Sequence, residues 1–389
     1  MGVNPFRLVL AAAVPLLCGA GWGAAIPPWN AADRTTTLNW FLENEYGVRP
    51  TSAETAKAEF AAEGDDRVMM DGAALRKRVR ITMKGPRGDV SFVATAFIPT
   101  ATKGPVPSFL LICNRNPEKN IDPDRVQKSP FWPAEEIVRR GYAAISFYNG
   151  DVAPDRATGC SEGVFRAFDG PWIEKGENFR PHDAWGTLSA WAWGASRVMD
   201  WIAREPRLDA GRVAVIGHSR GGKTALLAGV TDPRFAMACV NGSGCGGAKL
   251  NRMELPKSES IAQITRMFPY WFCSNYRMWV NRDREVPFDQ HQFLALMAPR
   301  LVAVGDATED DWAGPRGEYE CCVRASGAWE AQGKGGLVSS AFPAPDTAQQ
   351  DGSISYHLRT GGHDLTALDW ARYMDFADRH GWKNGIIGR

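Results

Sequence analysis

The hydrophobic pattern changes period along this chain. Leu75 to Met83 and Asp89 to Ile98 alternate apolar with polar residues on either side of Lys84-Gly-Pro-Arg-Gly88. Period-two alternation around a Gly/Pro turn predicts an antiparallel hairpin. Beyond it the strand-length runs become mostly apolar: Val106 to Cys113, Tyr142 to Phe147, Val213 to Gly217, Ala236 to Val240 and Arg300 to Gly305. Runs of that kind suit strands covered on both faces. A last strand is predicted over Ser353 to Leu358. Between these runs the period lengthens. Helices are predicted over Ala134 to Arg140, Asp183 to Glu205, the stretch after Gly222, His291 to Met297, Glu318 to Gln332 and Thr366 to His380. Residues 26–75 read as an N-terminal extension with helices over Thr37 to Tyr46 and Ala53 to Glu63.

Strands alternating with helices imply a mostly parallel sheet with helices on both faces, a three-layer α/β sandwich. Led by an N-terminal antiparallel hairpin, that order is the α/β-hydrolase pattern. Residues 26–389 are expected to form a single domain, since no repeat, low-complexity tract or long linker interrupts them. Two connections are unusually long, about 149–181 and 242–289. Both leave the carboxyl ends of strands, where open α/β sheets bind ligands.

The first 25 residues change the picture of location. Arg7 precedes an apolar run, Leu8 to Leu17, that is too short to span a bilayer, and Gly21-Trp-Gly-Ala-Ala25 supplies small residues. These are the marks of a signal peptide cleaved near Ala24 or Ala25, so a secreted or periplasmic protein is expected. Export permits disulfides among Cys113, Cys160, Cys239, Cys245, Cys273, Cys321 and Cys322, and the odd number leaves at least one unpaired within the chain. The 45 basic and 44 acidic residues are spread along the chain, which argues against a nucleic-acid or membrane-surface partner. No C-x-x-C or H-E-x-x-H occurs, so no metal centre is expected. The 15 tryptophans suit core packing or stacking on sugar faces. A monomer is expected.

Candidate chemistry concentrates in Gly217-His218-Ser219-Arg220-Gly221-Gly222-Lys223. A G-x-S-x-G between a β-branched strand and a run of helix formers is the setting of a nucleophile elbow. The strained turn needs residues without a Cβ and lifts Ser219 to the N-terminus of the next helix, where unpaired N–H groups favour an oxyanion. The Arg220 N–H and a donor from Asn114-Arg-Asn116-Pro would line the oxyanion hole, with the Arg220 guanidinium adding charge. Lys223, one turn on, faces the same end. A lysine there is too hydrated and mobile to be the base but can donate to substrate hydroxyls. Six histidines compete as base, and position selects His363, in Thr360-Gly-Gly-His363-Asp364 between the last strand and the last helix. His218, adjacent to the nucleophile, is expected to point away. The acid should follow Gly305, within Asp306-Ala-Thr-Glu309-Asp310-Asp311. Asp310 has the usual offset, and Glu309 and Asp311 are alternatives. The acid's task is to hold the imidazole's tautomer and stabilise the imidazolium.

Six blocks, in order over about residues 75 to 380, carry a resemblance: Gly217 to Lys223, Ser243-Gly-Cys-Gly-Gly-Ala248, Phe268-Pro-Tyr-Trp-Phe-Cys273, Ala298-Pro-Arg300, Asp310-Asp-Trp-Ala-Gly-Pro315 and Gly362-His-Asp364. The chain resembles the glucuronoyl esterases of carbohydrate esterase family 15. The resemblance implies a substrate, the ester between (4-O-methyl-)glucuronic acid of glucuronoxylan and lignin alcohols, cleaved through an acyl-enzyme without metal or cofactor. It implies Ser219 as nucleophile, His363 as base and Arg220 as oxyanion-stabilising arginine. Lys223 and Glu259 match residues that contact the sugar, and Trp312 a tryptophan beside the uronate. Fungal members place the acid after the strand that here ends at Val240, where this chain has Gly242. Bacterial members often keep it after the next strand, which fits Asp310. His218 stands where fungal members have a disulfide cysteine, so that disulfide is expected to be missing. Two other readings stand beside this one: another carbohydrate or small-acyl esterase, such as an acetyl xylan esterase, and a non-catalytic glycan-binding protein on the same fold.

Overall fold

A computed structural model describes residues 33–170, 180–339 and 341–382. The expected signal peptide and residues 171–179 of the first long connection lie outside the described residues. Eleven strands form one sheet: β1 (Ala58–Ala62), β2 (Arg67–Met69), β3 (Ala74–Gly85), β4 (Gly88–Pro99), β5 (Val106–Cys113), β6 (Ala143–Tyr148), β7 (Leu208–His218), β8 (Met237–Asn241), β9 (Leu301–Ala307), β10 (Thr347–Gln349) and β11 (Ile354–Arg359). Their order is β1-β3-β4-β6-β5-β7-β8-β9-β11-β10, with β2 also on β3. From β6 to β11 across the sheet the neighbours are parallel. Antiparallel pairing is confined to the two ends.

The predicted hairpin is β3–β4. Gly85 pairs with Gly88, so Pro86-Arg87 closes it. β5 is buried at every position, as a strand between two helical layers must be. One apolar layer packs the helices Thr187–Ile202 and Arg220–Thr231 on the sheet. The opposite layer packs Ala134–Arg139 and Ala367–Arg379. Trp191 and Trp193 are core residues whose indole N–H groups donate to Ala153 O (2.8 Å) and Ala53 O (3.0 Å). Burying so large a ring requires its one donor to find a partner.

Two predicted helices are corrected. The Ala53 to Glu63 helix shrinks to Thr51–Glu54, and Ala58–Ala62 is strand β1, paired with the outer edge of β3 from Ala58↔Met83 to Ala62↔Val79. The twelve-residue β3 needs a partner along that edge, and the ladder overrides local helix preference. The Glu318 to Gln332 helix is two, Pro315–Ala325 and Gly327–Glu330, broken where the Ser326 hydroxyl donates back to Cys322 O and accepts from the Leu337 N–H. All seven cysteines from Cys113 onward are buried, and no disulfide joins any two of them. Among the described residues no helix is long and apolar enough to cross a membrane.

Candidate active site

β7 ends at His218 and a helix begins at Arg220, so Ser219 is the turn between them, with φ 57° and ψ −123°. Left-handed φ in a residue with a side chain is strained backbone. The neighbouring glycines make the turn possible. A Cβ on Gly217 would lie 2.0 Å from Gly221 O, and one on Gly222 2.9 Å from Asn241 O. The Ser219 N–H is fixed by Asn241 O at 2.8 Å.

His363 follows β11 and shares a cleft of about 190 Å³ with Ser219. Its Nδ1 lies 2.5 Å from Asp310 Oδ2, which leaves Nε2 as the nitrogen available to a hydroxyl. Asp310 is buried just past β9, and its Oδ1 accepts from the Ala313 N–H at 3.2 Å. Of the competing carboxylates, Glu309 and Asp311 are exposed, Asp311 facing Lys257 at 3.4 Å. Asp306 is buried and accepts from the Tyr356 hydroxyl at 3.0 Å. Gly242 borders the same contact: a Cβ there would sit 3.1 Å from Asp310 Oδ2 and 3.5 Å from His363 Nδ1. Both acid positions implied by the resemblance therefore converge on one imidazole nitrogen, and the missing side chain at 242 leaves room for Asp310. The loop is held from beneath by the buried Arg359, which donates to Gly362 O (2.8 Å) and Asp364 O (2.7 Å) on either side of His363 and to Asp369 (2.9 Å).

Arg220 also lines the cleft. Its guanidinium lies over Trp271 (5.1 Å) and Phe268 (5.8 Å) and is paired with Asp155. Asp155 was not legible as a site residue. The signal available was its place in a long connection at the carboxyl edge of the sheet.

Lys223 differs from expectation. It is 2% exposed, and its Nζ donates to Ser243 O (2.5 Å), Cys245 O (2.6 Å) and Glu259 Oε2 (2.7 Å). The helix carries it down beside the nucleophile into the 243–248 turn, where burial replaces hydration with fixed acceptors. The other carboxylate oxygen of Glu259 accepts from the Trp312 indole at 2.9 Å, so Lys223, Glu259 and Trp312 form one unit. Glu318, unmarked in the sequence, stiffens that turn by accepting from the Gly244 N–H (2.5 Å) and the Ser243 hydroxyl (3.0 Å); burial pushes its carboxyl up to about 8.

His218 is a second correction. Its ring does not turn away from the site but packs against His363, with centroids 4.3 Å apart. A larger hollow of about 650 Å³, bordered by Arg125, Lys128 and Glu135, contains neither Ser219 nor His363, so chemistry rather than volume marks the site.

A serine at an elbow, beside an imidazole paired with a carboxylate at the carboxyl edge of a parallel sheet, defines an α/β-hydrolase with a serine-esterase arrangement. The sequence matches the family described as "Glucuronyl esterase, fungi" over residues 81–333. It is 34% identical to a carbohydrate esterase, MZ0003, from an unknown prokaryotic organism, over 90% of this chain and 85% of that one. A 4-O-methyl-glucuronoyl methylesterase of Podospora anserina is 33% identical over 50% of this chain and 40% of its own length. Among solved structures, a glucuronoyl esterase from Solibacter usitatus superposes with a TM-score of 0.79 at 32% identity, covering 91% of this chain and 94% of that one. A promiscuous family 15 esterase from a marine bacterial metagenome gives 0.79 at 33% identity, over 90% and 92%. The chain belongs to the glucuronoyl esterase family.

Proposed function

We propose that this protein hydrolyses the ester between (4-O-methyl-)glucuronic acid of glucuronoxylan and lignin alcohols. One observation carries the reading: Ser219 and His363, its Nδ1 on Asp310, open on a cleft that also holds Arg220 and the Lys223–Glu259–Trp312 unit. His363 Nε2 takes the Ser219 proton as Oγ attacks the ester carbonyl. The Arg220 N–H and guanidinium stabilise the oxyanion. Collapse returns the proton to the leaving alcohol and leaves the uronoyl group on Ser219. Water, deprotonated by His363, then releases the uronic acid and restores the serine. The polar unit reads the sugar, Trp312 beside the uronate. The working form is a monomeric catalytic domain, residues 26–389, behind a leader cleaved near Ala24 or Ala25, acting outside the cytoplasm.

The test is turnover of methyl glucuronate, methyl galacturonate and an aryl acetate by the wild type and by Ser219→Ala. The expected result is preference for the glucuronate and loss of turnover in the folded variant. Preference for the acetate would make the protein a small-acyl esterase instead. Binding of the sugar without cleavage by the wild type would make it a glycan-binding protein.

A further inference from the structure

His363 is held by Asp310 at one ring nitrogen, and its side chain is 38% exposed. A ring tethered at one atom can still tilt about that bond, and the nitrogen aimed at the nucleophile would move with it. The second surface against it is another imidazole, that of His218, inclined at 45° with centroids 4.3 Å apart. We propose that His218 is a positioning residue for His363, a buried flat ring clamped in place so that the base keeps Nδ1 on Asp310 and Nε2 toward Ser219. The proposal rests on the reading of His363 as the base.

Several contacts make His218 a fixed support. It is 2% exposed, and its Nδ1 lies 2.7 Å from Asn241 Oδ1. The Asn241 Nδ2 donates to the Tyr373 hydroxyl at 3.1 Å, so the asparagine oxygen faces His218 as acceptor, and Nδ1 of His218 carries the proton. His218 and Asn241 are register partners at the ends of β7 and β8. The same Asn241 takes the Ser219 N–H on its backbone oxygen. One residue thus ties down both the nucleophile's backbone and the support under the base. His218 also makes an edge-to-face contact with Phe131, centroids 6.0 Å apart, and Phe131 carries the Arg115 guanidinium at 4.3 Å. Arg115 in turn pairs with Asp364, next to His363, at 2.7 Å.

Charge points the same way. Burial above all, then the neighbouring His363 and the Arg115 guanidinium, hold His218 well below the usual imidazole range, against the Asn241 bond and the more distant Asp369 carboxylate. His218 therefore stays neutral, and the imidazolium that forms at 363 meets no like charge from the ring packed against it.

The experiment compares His218→Ala, His218→Gln and His218→Phe on methyl glucuronate, with a thermal melt of each. A misplaced base costs up to about 100-fold in rate. His218→Ala is expected to lower kcat by roughly 10- to 100-fold with KM unchanged within about twofold. His218→Gln, which keeps the bond to Asn241 but not the flat face, should fall as far. His218→Phe, which keeps the face and loses the bond, should recover kcat to within about threefold of wild type. Retained kcat in His218→Ala overturns the proposal, and so does recovery by Gln in place of Phe, since a structural bond would then be the whole role. If the alanine variant does not fold, the Phe and Gln pair decides. Turnover surviving in Ser219→Ala would overturn the serine mechanism itself, a different failure.

Discussion

Asp155 is the ion-pair partner of Arg220, reaching it from the first long connection while the arginine stands directly after Ser219. The carboxylate is itself gripped, one oxygen accepting from the Tyr270 hydroxyl (3.0 Å) and the Trp271 indole (2.8 Å). A guanidinium held at a ring face and a carboxylate is aimed before substrate arrives, and preorganised charge is what stabilises an oxyanion. Removing such a donor costs about 3 kcal/mol, so Arg220→Ala should lose about 100-fold in kcat and Asp155→Ala about tenfold. The double variant should be no slower than Arg220→Ala. Additive losses in the double-mutant cycle would show that Asp155 acts elsewhere.

The acid is tested by neighbours. Asp310→Asn leaves the geometry but offers Nδ1 the wrong partner, a change that costs about 10⁴ in kcat in a serine triad. Asp311→Asn and Glu309→Gln alter exposed carboxylates and should stay within about twofold. Steady-state rates on one glucuronate ester check all three, and sensitivity at Asp311 would move the acid by one residue. Gly242→Ala should also slow turnover, because its methyl would crowd the Asp310–His363 contact.

Glu259 and Lys223 are both almost fully buried, and the carboxylate divides its oxygens between the ammonium and the Trp312 indole. Breaking a buried pair from one side costs about 3–5 kcal/mol; the two carbonyls left on Lys223 favour the lower end. Glu259→Ala should therefore lower Tm by several degrees and raise KM. Trp312→Phe keeps a ring and loses one N–H donor, so it should raise KM with Tm nearly unchanged. Melting curves beside KM values separate the two outcomes.

Stability should carry a pH signature from Glu45. This carboxyl is buried, with the Gln290 amide donating to both oxygens (2.9 and 3.0 Å). Burial above all pushes it up to about 8. The folded state then keeps a proton that the unfolded chain gives up in the ordinary carboxylate range. The resulting stability is fully present below that range and is lost as pH rises through about 8. Glu45→Gln cannot titrate, so its Tm relative to wild type should climb steadily from pH 5 to 8. Parallel melting of the two proteins over that range would show that Glu45 does not hold the proton.

Legibility followed how local the information is. The hairpin was readable because alternation and a Gly/Pro turn lie within 25 residues, and β5 because eight consecutive residues are buried. Strand β1 was not, because Ala58–Ala62 becomes a strand only through the edge of β3. At the site, motif and offset single out Ser219, His363 and Asp310 as candidates, and the structure brings the first two to one cleft and the last two into contact. Asp155 and Glu318 were missed, since an acidic residue in a loop or on a helix has no local mark of what it will face. The side-chain settings of Lys223 and His218 were misjudged for the same reason. Hydration and direction depend on neighbours brought in from β8 and the 243–248 turn.

Residue order alone specified the strand–turn–helix at Ser219 and the alternation that builds the sheet, because each rests on steric rules acting over a few residues, and it named His363 and Asp310 as candidates by their place after the strands. Tertiary packing decided which carboxylate oxygen meets which ring nitrogen, that Lys223 is dry and paired, and that a second imidazole lies against the first. Those are distances between parts of the chain far apart in sequence. They exist only once the sheet has stacked its loops on one edge and excluded the water that would otherwise screen them.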